Sequence, residues 1–459
     1  MPTTTASPAK SDYLDALAQY ACGTKFEDVP APVVEHCKLI LADTLPVIAA
    51  GMRQKEMQSL VGRHLPRAAP GRASVIGTGK RAGPLDAAML NAIAGVWLEL
   101  DEGHFYTNGH PGIHVIPAAL AHAQEHGVSG RDLLLAIVLG YEVCGRIGGA
   151  YKMRVMVQTH GTFGVIGSTV AVGRMSGLNP REMREAINIA ASTPLGGNRQ
   201  TMIDGATIRN YYPGHANFTG QMAVRLVQSG FTGPIDAPSV TYGQILADDF
   251  STERAAMGLG THWLLTDDYI KLYPSARYVH CAIDALLDAL SRVPGKRLKP
   301  DSIARVEVHG YRMLVFCGEK RPKSMFGTQF STPFSIATIL HHGRSDLDVF
   351  GPKAFANPAV LDLAERVDMI EVDELNKNFP KEIPARLKIV MRDGTIHEGK
   401  CDMPKGERTN QHSAQEIEHK YYQLGTPVWG ESLARRIRES CMTLEQLGSL
   451  EQFAGGGDL

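Results

Sequence analysis

The chain has 459 residues, 44% of them hydrophobic and 21% charged, which is a globular composition long enough for two or three domains. Its 47 Lys and Arg balance 48 Asp and Glu, and a net charge of -1 excludes the bulk basic field that nucleic acid or an anionic membrane surface calls for. No run approaches the roughly 18 apolar residues of a membrane span, and seven scattered cysteines without a Cys-x-x-Cys pair argue for reduced thiols in a cytoplasmic setting, against a disulfide frame or a structural zinc.

Residues 1–8 hold no apolar core and read as a short disordered lead-in, not a secretory signal. Residues 13–21 carry apolar groups at helical spacing and stop at Gly23. A second helix covers 33–51, with a kink or break expected at Pro46. Pro84 is well placed to start a helix reaching Leu100. Helix is expected again from Pro117. Between them, 98–114 holds Glu99, Asp101, Glu102, His104, His110 and His114, and Gly103, Gly109, Pro111 and Gly112 are expected to keep it from being helical. Ser129 suits the N-cap of a helix over 133–147, and Asn179-Pro180-Arg181-Glu182 has the pattern of a capping box. Helical periodicity runs on to Gly230 and returns over 276–293.

The texture changes near residue 300. Residues 303–309 alternate as a strand. Residues 384–399 read as a hairpin, with Asp393-Gly394 supplying the positive φ angles of its turn. Helical runs at 335–340 and 360–370 lie between, and helices over 416–424 and 432–447 close the chain. The fold class is therefore mainly α. A large all-helical domain is built from both chain ends, residues 1–272 and 405–459, and a smaller α+β domain, 273–404, is inserted into it.

Titratable groups as dense as those of 98–114, on a loop held between helices, point to chemistry. Asp101 with Glu102 and His104 could take or deliver a proton. Acids and histidines are also metal-ligand types, but Pro111 and Gly112 keep His110 and His114 off one helical face, and the spacing matches no standard site. The plainer alternative is that the acids cap helix ends and the histidines are satisfied donors. Residues 159–167 carry spaced glycines, yet no strand precedes them and no lysine follows, so close helix packing explains Gly164, Gly167 and Gly173 better than a nucleotide loop. His160, just ahead of that helix, would be pushed towards its neutral form and could act as a base. Arg209, in a turn over 208–215, suits a bidentate grip on a carboxylate. Lys271, Arg277, Tyr278 and His280 gather at a helix start, where anions are favoured. Tyr311 and Arg312 follow the 303–309 strand and are placed at the domain junction. Together these segments describe a cation- and histidine-lined pocket without a nucleotide motif, a thiol pair or a Gly-x-Ser-x-Gly elbow. It suits a small polycarboxylate acid and proton removal next to a carboxylate, with loss of water or carbon dioxide, or inversion of a centre.

Segments 98–112, 159–164, 208–214 and 271–284, in this order, resemble the MmgE/PrpD family, which includes 2-methylcitrate dehydratase, cis-aconitate decarboxylase and iminodisuccinate epimerase. The His-Pro-Gly of 110–112 and the Lys-x-x-Pro of 271–274 with His280 beyond it are the more specific parts. The resemblance runs over essentially the whole chain. It implies a helical domain with an inserted α+β lid, a homodimer and no required cofactor. His110 and His160 match active-site histidines of the decarboxylase branch, Lys271 matches an active-site lysine, and His280 falls in the segment after it. The chain departs from that branch at Asp101-Glu102-Gly103, where the branch has two acids followed by Thr, at Glu99 in place of Asp, and at Arg209 in place of a lysine. Arginine stays charged, so it can clamp a carboxylate but is a poor proton shuttle. The resemblance thus implies a cofactor-independent, 2-methylcitrate dehydratase-like lyase acting on a citrate-like di- or tricarboxylate. Its catalytic groups would be His110, His160, Asp101 and Lys271, with Arg209, Arg277, His280, His104 and Tyr311 around the substrate and no metal. The alternatives are an epimerase of an iminodicarboxylate, a non-catalytic ligand-binding relative, and a metal-dependent hydrolase using the histidine loop.

Overall fold

The structure is a computed structural model that describes residues 12–377, 379, 381–451 and 453. The lead-in expected over 1–8 lies outside the described residues. Helix accounts for 58% and strand for 10% of the fold, which is mainly α.

The principal helices of the first half are α1 (Asp12–Gly23), α2 (Ala31–Met52), α3 (Pro84–Gly95), α4 (Pro111–His126), α5 (Gly130–Gly149), α6 (Gly164–Met175), α7 (Pro180–Ala191) and α8 (Tyr211–Gln228). α2 is buried on nearly every side and runs through Pro46 without a break. α3 starts at Pro84 but ends at Gly95, short of Leu100. α4 begins at Pro111, not Pro117. Proline takes the first helical position, where a missing N–H costs no bond, and His110 is the cap residue. The expected non-helical segment therefore ends at His110, and His114 lies one turn into a helix. The expected caps form: Ser129 Oγ accepts from Asp132 N, and Asn179 and Glu182 complete their capping box. The turn expected over 208–215 is already helical from Tyr211.

A short antiparallel hairpin, β1 (Ala73–Val75) with β2 (Lys80–Ala82), sits among these helices. Sequence reading passed over it because three residues are too few to show alternation. A four-stranded sheet follows, ordered β4-β3-β5-β6, from β3 (Ile303–Gly310), β4 (Val367–Glu371), β5 (Ala385–Met391) and β6 (Ile396–Cys401). β3 pairs parallel with β4 and antiparallel with β5. The helix expected over 360–370 is half wrong. The helix there ends at Ala364 and β4 begins at Val367, because β4 is completed by a parallel partner far away in sequence. In the β5–β6 hairpin only Gly394 has a positive φ, at 89°; Met391 N–H bonds Thr395 O, giving a three-residue loop and not a two-residue turn.

Two helices pack on the sheet, α9 (Arg277–Ser291) and α10 (Thr332–His342), and α11 (Pro358–Ala364) packs on α10. The last, α12 (Ala414–Met442), is interrupted at Gly430 by a φ of 71° and lies along α2. Two large apolar cores result. One takes residues from Tyr13 to Leu265 and from Ile437 to Phe453; the other takes Met202 and residues from Ala276 to Cys401.

Candidate active site

The loop from α3 to α4 is pinned at both flanks. Gly103 exchanges backbone hydrogen bonds of 3.0 and 2.7 Å with Tyr269, and His104 pairs with Gly109. A Cβ on Gly103 would stand 2.4 Å from the Tyr269 hydroxyl, so only glycine lets the strands of the loop meet there. Glu99 adopts a φ of 52°, unusual for a residue with a side chain. Its carboxylate is buried between two cations.

Those cations organise a chain of charge. Arg209 Nη2 stands 2.8 Å from Glu99 Oε2. Lys271 Nζ donates to Glu99 Oε1 at 3.2 Å and to Asp101 Oδ1 at 3.3 Å. The other Asp101 oxygen lies 3.0 Å from His110 Nδ1. Arg209, Glu99, Lys271 and Asp101 are all at most 2% exposed, and their formal charges cancel. Burial alone would raise the Asp101 carboxyl, but Lys271 and His110 beside it outweigh that and hold it well below the usual carboxylate range. Glu102 is the opposite case. Burial, with the nearby Asp268 charge, pushes it well above the ordinary range although Tyr141 O–H donates to it at 2.7 Å.

The three histidines of the site differ in what their nitrogens meet. His110 Nδ1 lies 2.6 Å from the Glu102 carbonyl, which can only accept, so Nδ1 carries the proton and the lone pair sits on Nε2. His114 is used up: Nδ1–H donates to His110 O at 2.7 Å and Nε2 accepts from Gly161 N–H at 3.1 Å. Burial lowers it to about 4. His160 stacks on His110 with centroids 4.6 Å apart and planes 13° apart. Both its ring nitrogens are buried without a partner, and burial, then Arg209, push it well below its ordinary value. Arg209 also keeps Nε and Nη1 unpartnered. Buried polar atoms are rarely left unpaired, so this concentration of them marks a place for a polar ligand.

A hollow of about 50 Å³ is lined by His110 with Glu99, Gln158, Arg199, Arg209, Arg277, Tyr278 and Phe330. Asp101, His160 and Lys271 are not part of its lining. A larger hollow of about 760 Å³ lies behind Lys271, along α12, but it touches neither His110 nor Arg209 and mixes both signs of charge.

Several expected site residues have their polar atoms engaged by other groups of the protein, although His104 and Arg277 also line the hollow. Arg277 reaches the hollow, but its guanidinium is held by Glu407 at 2.7 Å and by the Lys405 carbonyl at 2.9 Å. His280 is fully buried beside it, with one nitrogen on Arg277 and the other on Ser275 O. His104 donates to Leu264 O and accepts from Tyr106 N. Tyr311 is packed in the second core against Phe379, and Arg312 is a surface residue paired with Glu371. Sequence reading missed Glu99 as the hub of the charge chain, and Arg199 and Gln158 as lining. Glu99 could have been suspected from its place in the acidic segment. Arg199 opens a single 3-10 turn, Arg199–Thr201, too short to carry a periodic signal.

Asp101, His110 and His160 offer ligand atoms within 4.8 Å of one another, so the same three groups could approach a metal ion. The neighbouring charges oppose it: Lys271 already occupies one Asp101 oxygen, and Arg209 adds a further positive charge. The set is better suited to moving protons.

Residues 15–254 match the MmgE/PrpD N-terminal domain, and residues 273–446 match the MmgE/PrpD C-terminal domain. The chain belongs to the MmgE/PrpD family. Similar family members include cis-aconitate decarboxylase of Aspergillus terreus, 26% identical over 467 residues that cover 96% of this chain and 95% of the relative. The cis-aconitate decarboxylase-like protein oryM of Aspergillus oryzae is 28% identical over 495 residues, covering 98% of each. Human cis-aconitate decarboxylase is 25% identical over 355 residues, 74% of this chain and 72% of its own. Family and relatives together support an enzyme of lyase type. Among the described residues, no helix is long and apolar enough to cross a membrane.

Proposed function

We propose that this family member is a cofactor-independent lyase that dehydrates a citrate-like di- or tricarboxylate. The observation that carries the reading is the state of His110. Its Nδ1 proton is fixed by the Glu102 carbonyl, its lone pair is on Nε2, and its ring edges a hollow where Arg209 keeps free donors. Arg209, with Arg199, would hold a carboxylate. His110 Nε2 then takes the proton from the neighbouring carbon. The electron pair left behind forms the double bond as the adjacent C–O bond breaks, and the departing hydroxide takes the proton from the His110 imidazolium and leaves as water. The Asp101 carboxylate beside Nδ1 stabilises the imidazolium, and Lys271 keeps that carboxylate charged. His160 supports the ring by stacking and offers a second neutral imidazole.

Decarboxylation is the second reading, favoured by the near full-length relatives named cis-aconitate decarboxylase. Dehydration comes first because Arg209 can grip a carboxylate but cannot hand a proton to a carbanion. Inversion of a centre needs proton carriers on opposite faces of the carbon, and the stacked His110 and His160 rings favour one face. Residues 273–404 would act as a lid over residues 1–272 and 405–459, since the hollow is walled from both. The exposed apolar side chains Val155, Met156, Ile208, Tyr211 and Ile245 would be the face of a homodimer. Seven free cysteines suit a reducing, cytoplasmic compartment.

The test is a panel of 2-methylcitrate, citrate, cis-aconitate and iminodisuccinate, with products followed by NMR. Loss of water from a citrate-type acid is expected. Release of carbon dioxide from cis-aconitate would move the enzyme to the second reading, and no reaction with any of the four would sink the lyase reading for this substrate class.

A further inference from the structure

The peptide between Glu99 and Asp101 is held from behind by two helices that contribute nothing to the hollow. Lys420, on α12, donates to the Leu100 carbonyl at 2.9 Å. Its remaining protons meet Asp43, on α2, with Nζ 2.7 Å from Oδ1 and 2.9 Å from Oδ2. Lys420 and Asp43 are each 2% exposed. The Leu100 side chain is gripped by the same pair of helices. It forms a small separate core with Val47, one turn after Asp43, and Leu424, one turn after Lys420. Backbone and side chain of one loop residue are thus fixed by matching i and i+4 positions of α2 and α12.

We infer that Lys420 is a positioning residue, which with Asp43 sets where the Glu99 and Asp101 carboxylates stand relative to Lys271 and His110. The inference rests on the reading of Asp101 and His110 as the proton-moving pair. The geometry leaves Leu100 no choice of position: its two neighbours bear the acids, and Glu99 is held at a φ that the free chain avoids. Freeing the Leu100 carbonyl lets that backbone relax and carries both carboxylates with it. A displacement near 1 Å at a reacting group costs about 10²-fold in rate. Arg209 meets Glu99 through Nη2 and would still offer Nε and Nη1 to a substrate carboxylate, so kcat falls by far more than KM rises.

The experiment separates this from a plain stabilising role. Lys420→Met leaves Asp43 buried without its partner and is expected to lose both stability and rate. The double variant Asp43→Leu with Lys420→Met replaces the buried ion pair by apolar groups, an exchange that is often neutral for stability. Its melting temperature should return towards wild type while kcat stays about 10²-fold down and KM moves less than about threefold. Hydrogen–deuterium exchange should also rise by about tenfold in peptides covering 99–103, with α4 and α9 unchanged. Recovery of kcat along with the melting temperature, or unchanged exchange in 99–103, would overturn the inference. If the wild-type protein acts on none of the polycarboxylates, the functional reading falls, and the exchange measurement alone then decides whether Lys420 holds this loop.

Discussion

His110 and His114 stand four residues apart, and the structure gives them different fates through their nitrogens. His114 is saturated by His110 O and Gly161 N, while His110 keeps one lone pair free. Both were legible as candidates in the sequence. Their division of roles was not, because it depends on a backbone carbonyl at Glu102 and on a loop 47 residues away from His114. The same holds for the charge chain, where Lys271 meets Glu99 across 172 residues. The buried histidines make a prediction about pH. His114 is lowered to about 4, and burial holds His160 and His280 well below their ordinary value. Unfolded, each titrates near 6.5. Their folded values lie below the unfolded ones, so the unfolded chain binds more protons and stability falls as pH drops through about 6.5 towards 4. His114 alone corresponds to about 3 kcal/mol over that window. Asp101, held low in the fold, adds its loss only below about pH 4. Glu102, held high by burial, works in the opposite sense, so the histidine contribution is read by comparison: the loss of urea midpoint from pH 7.5 to 5 should be smaller in His114→Gln than in wild type. The same pH dependence in both proteins would contradict the neutral, buried assignment of His114.

At the scale of elements, the sequence was most informative where a local rule decides. Ser129 and the Asn179–Glu182 box cap as their chemistry requires. The glycines of α6 read as packing residues, and they are: a Cβ on Gly164 would stand 2.2 Å from the His114 ring, and one on Gly167 2.7 Å from Val115. Gly164→Ala should therefore cost about 1–3 kcal/mol by overpacking and push His114 against the loop that carries His160. A thermal melt checks it, and an unshifted transition would contradict the contact. Local rules fail where partners are remote. β4 is a strand because β3 lies beside it in parallel, and no period in five residues reveals that. Pro111 shows the other kind of error: proline stops a helix from its interior but starts one from its first position, and the neighbouring Gly103 and Gly109 disguised which applied.

For the whole molecule, two cores meet around a hollow of about 50 Å³, small beside the roughly 300 Å³ and upward of ordinary ligand sites. On the proposed reading, in which residues 273–404 act as a lid, a polycarboxylate would enter by their drawing away from the loop at 98–110. The change of texture near 303 marked the sheet, and the second core reaches back to α9, a helix that falls inside the 273–404 segment expected from sequence. The central claim, that His110 removes a proton from carbon in this enclosed space, is tested most directly by deuterium incorporation. Wild-type protein and His110→Ala are incubated in deuterated water with the polycarboxylate that the wild type dehydrates, and exchange at the carbon next to the carboxylate is followed by NMR alongside turnover. The account predicts exchange in the wild type and a loss of about 10² to 10⁴-fold in His110→Ala, with the melting temperature little changed. Exchange in His110→Ala at the wild-type rate would contradict it.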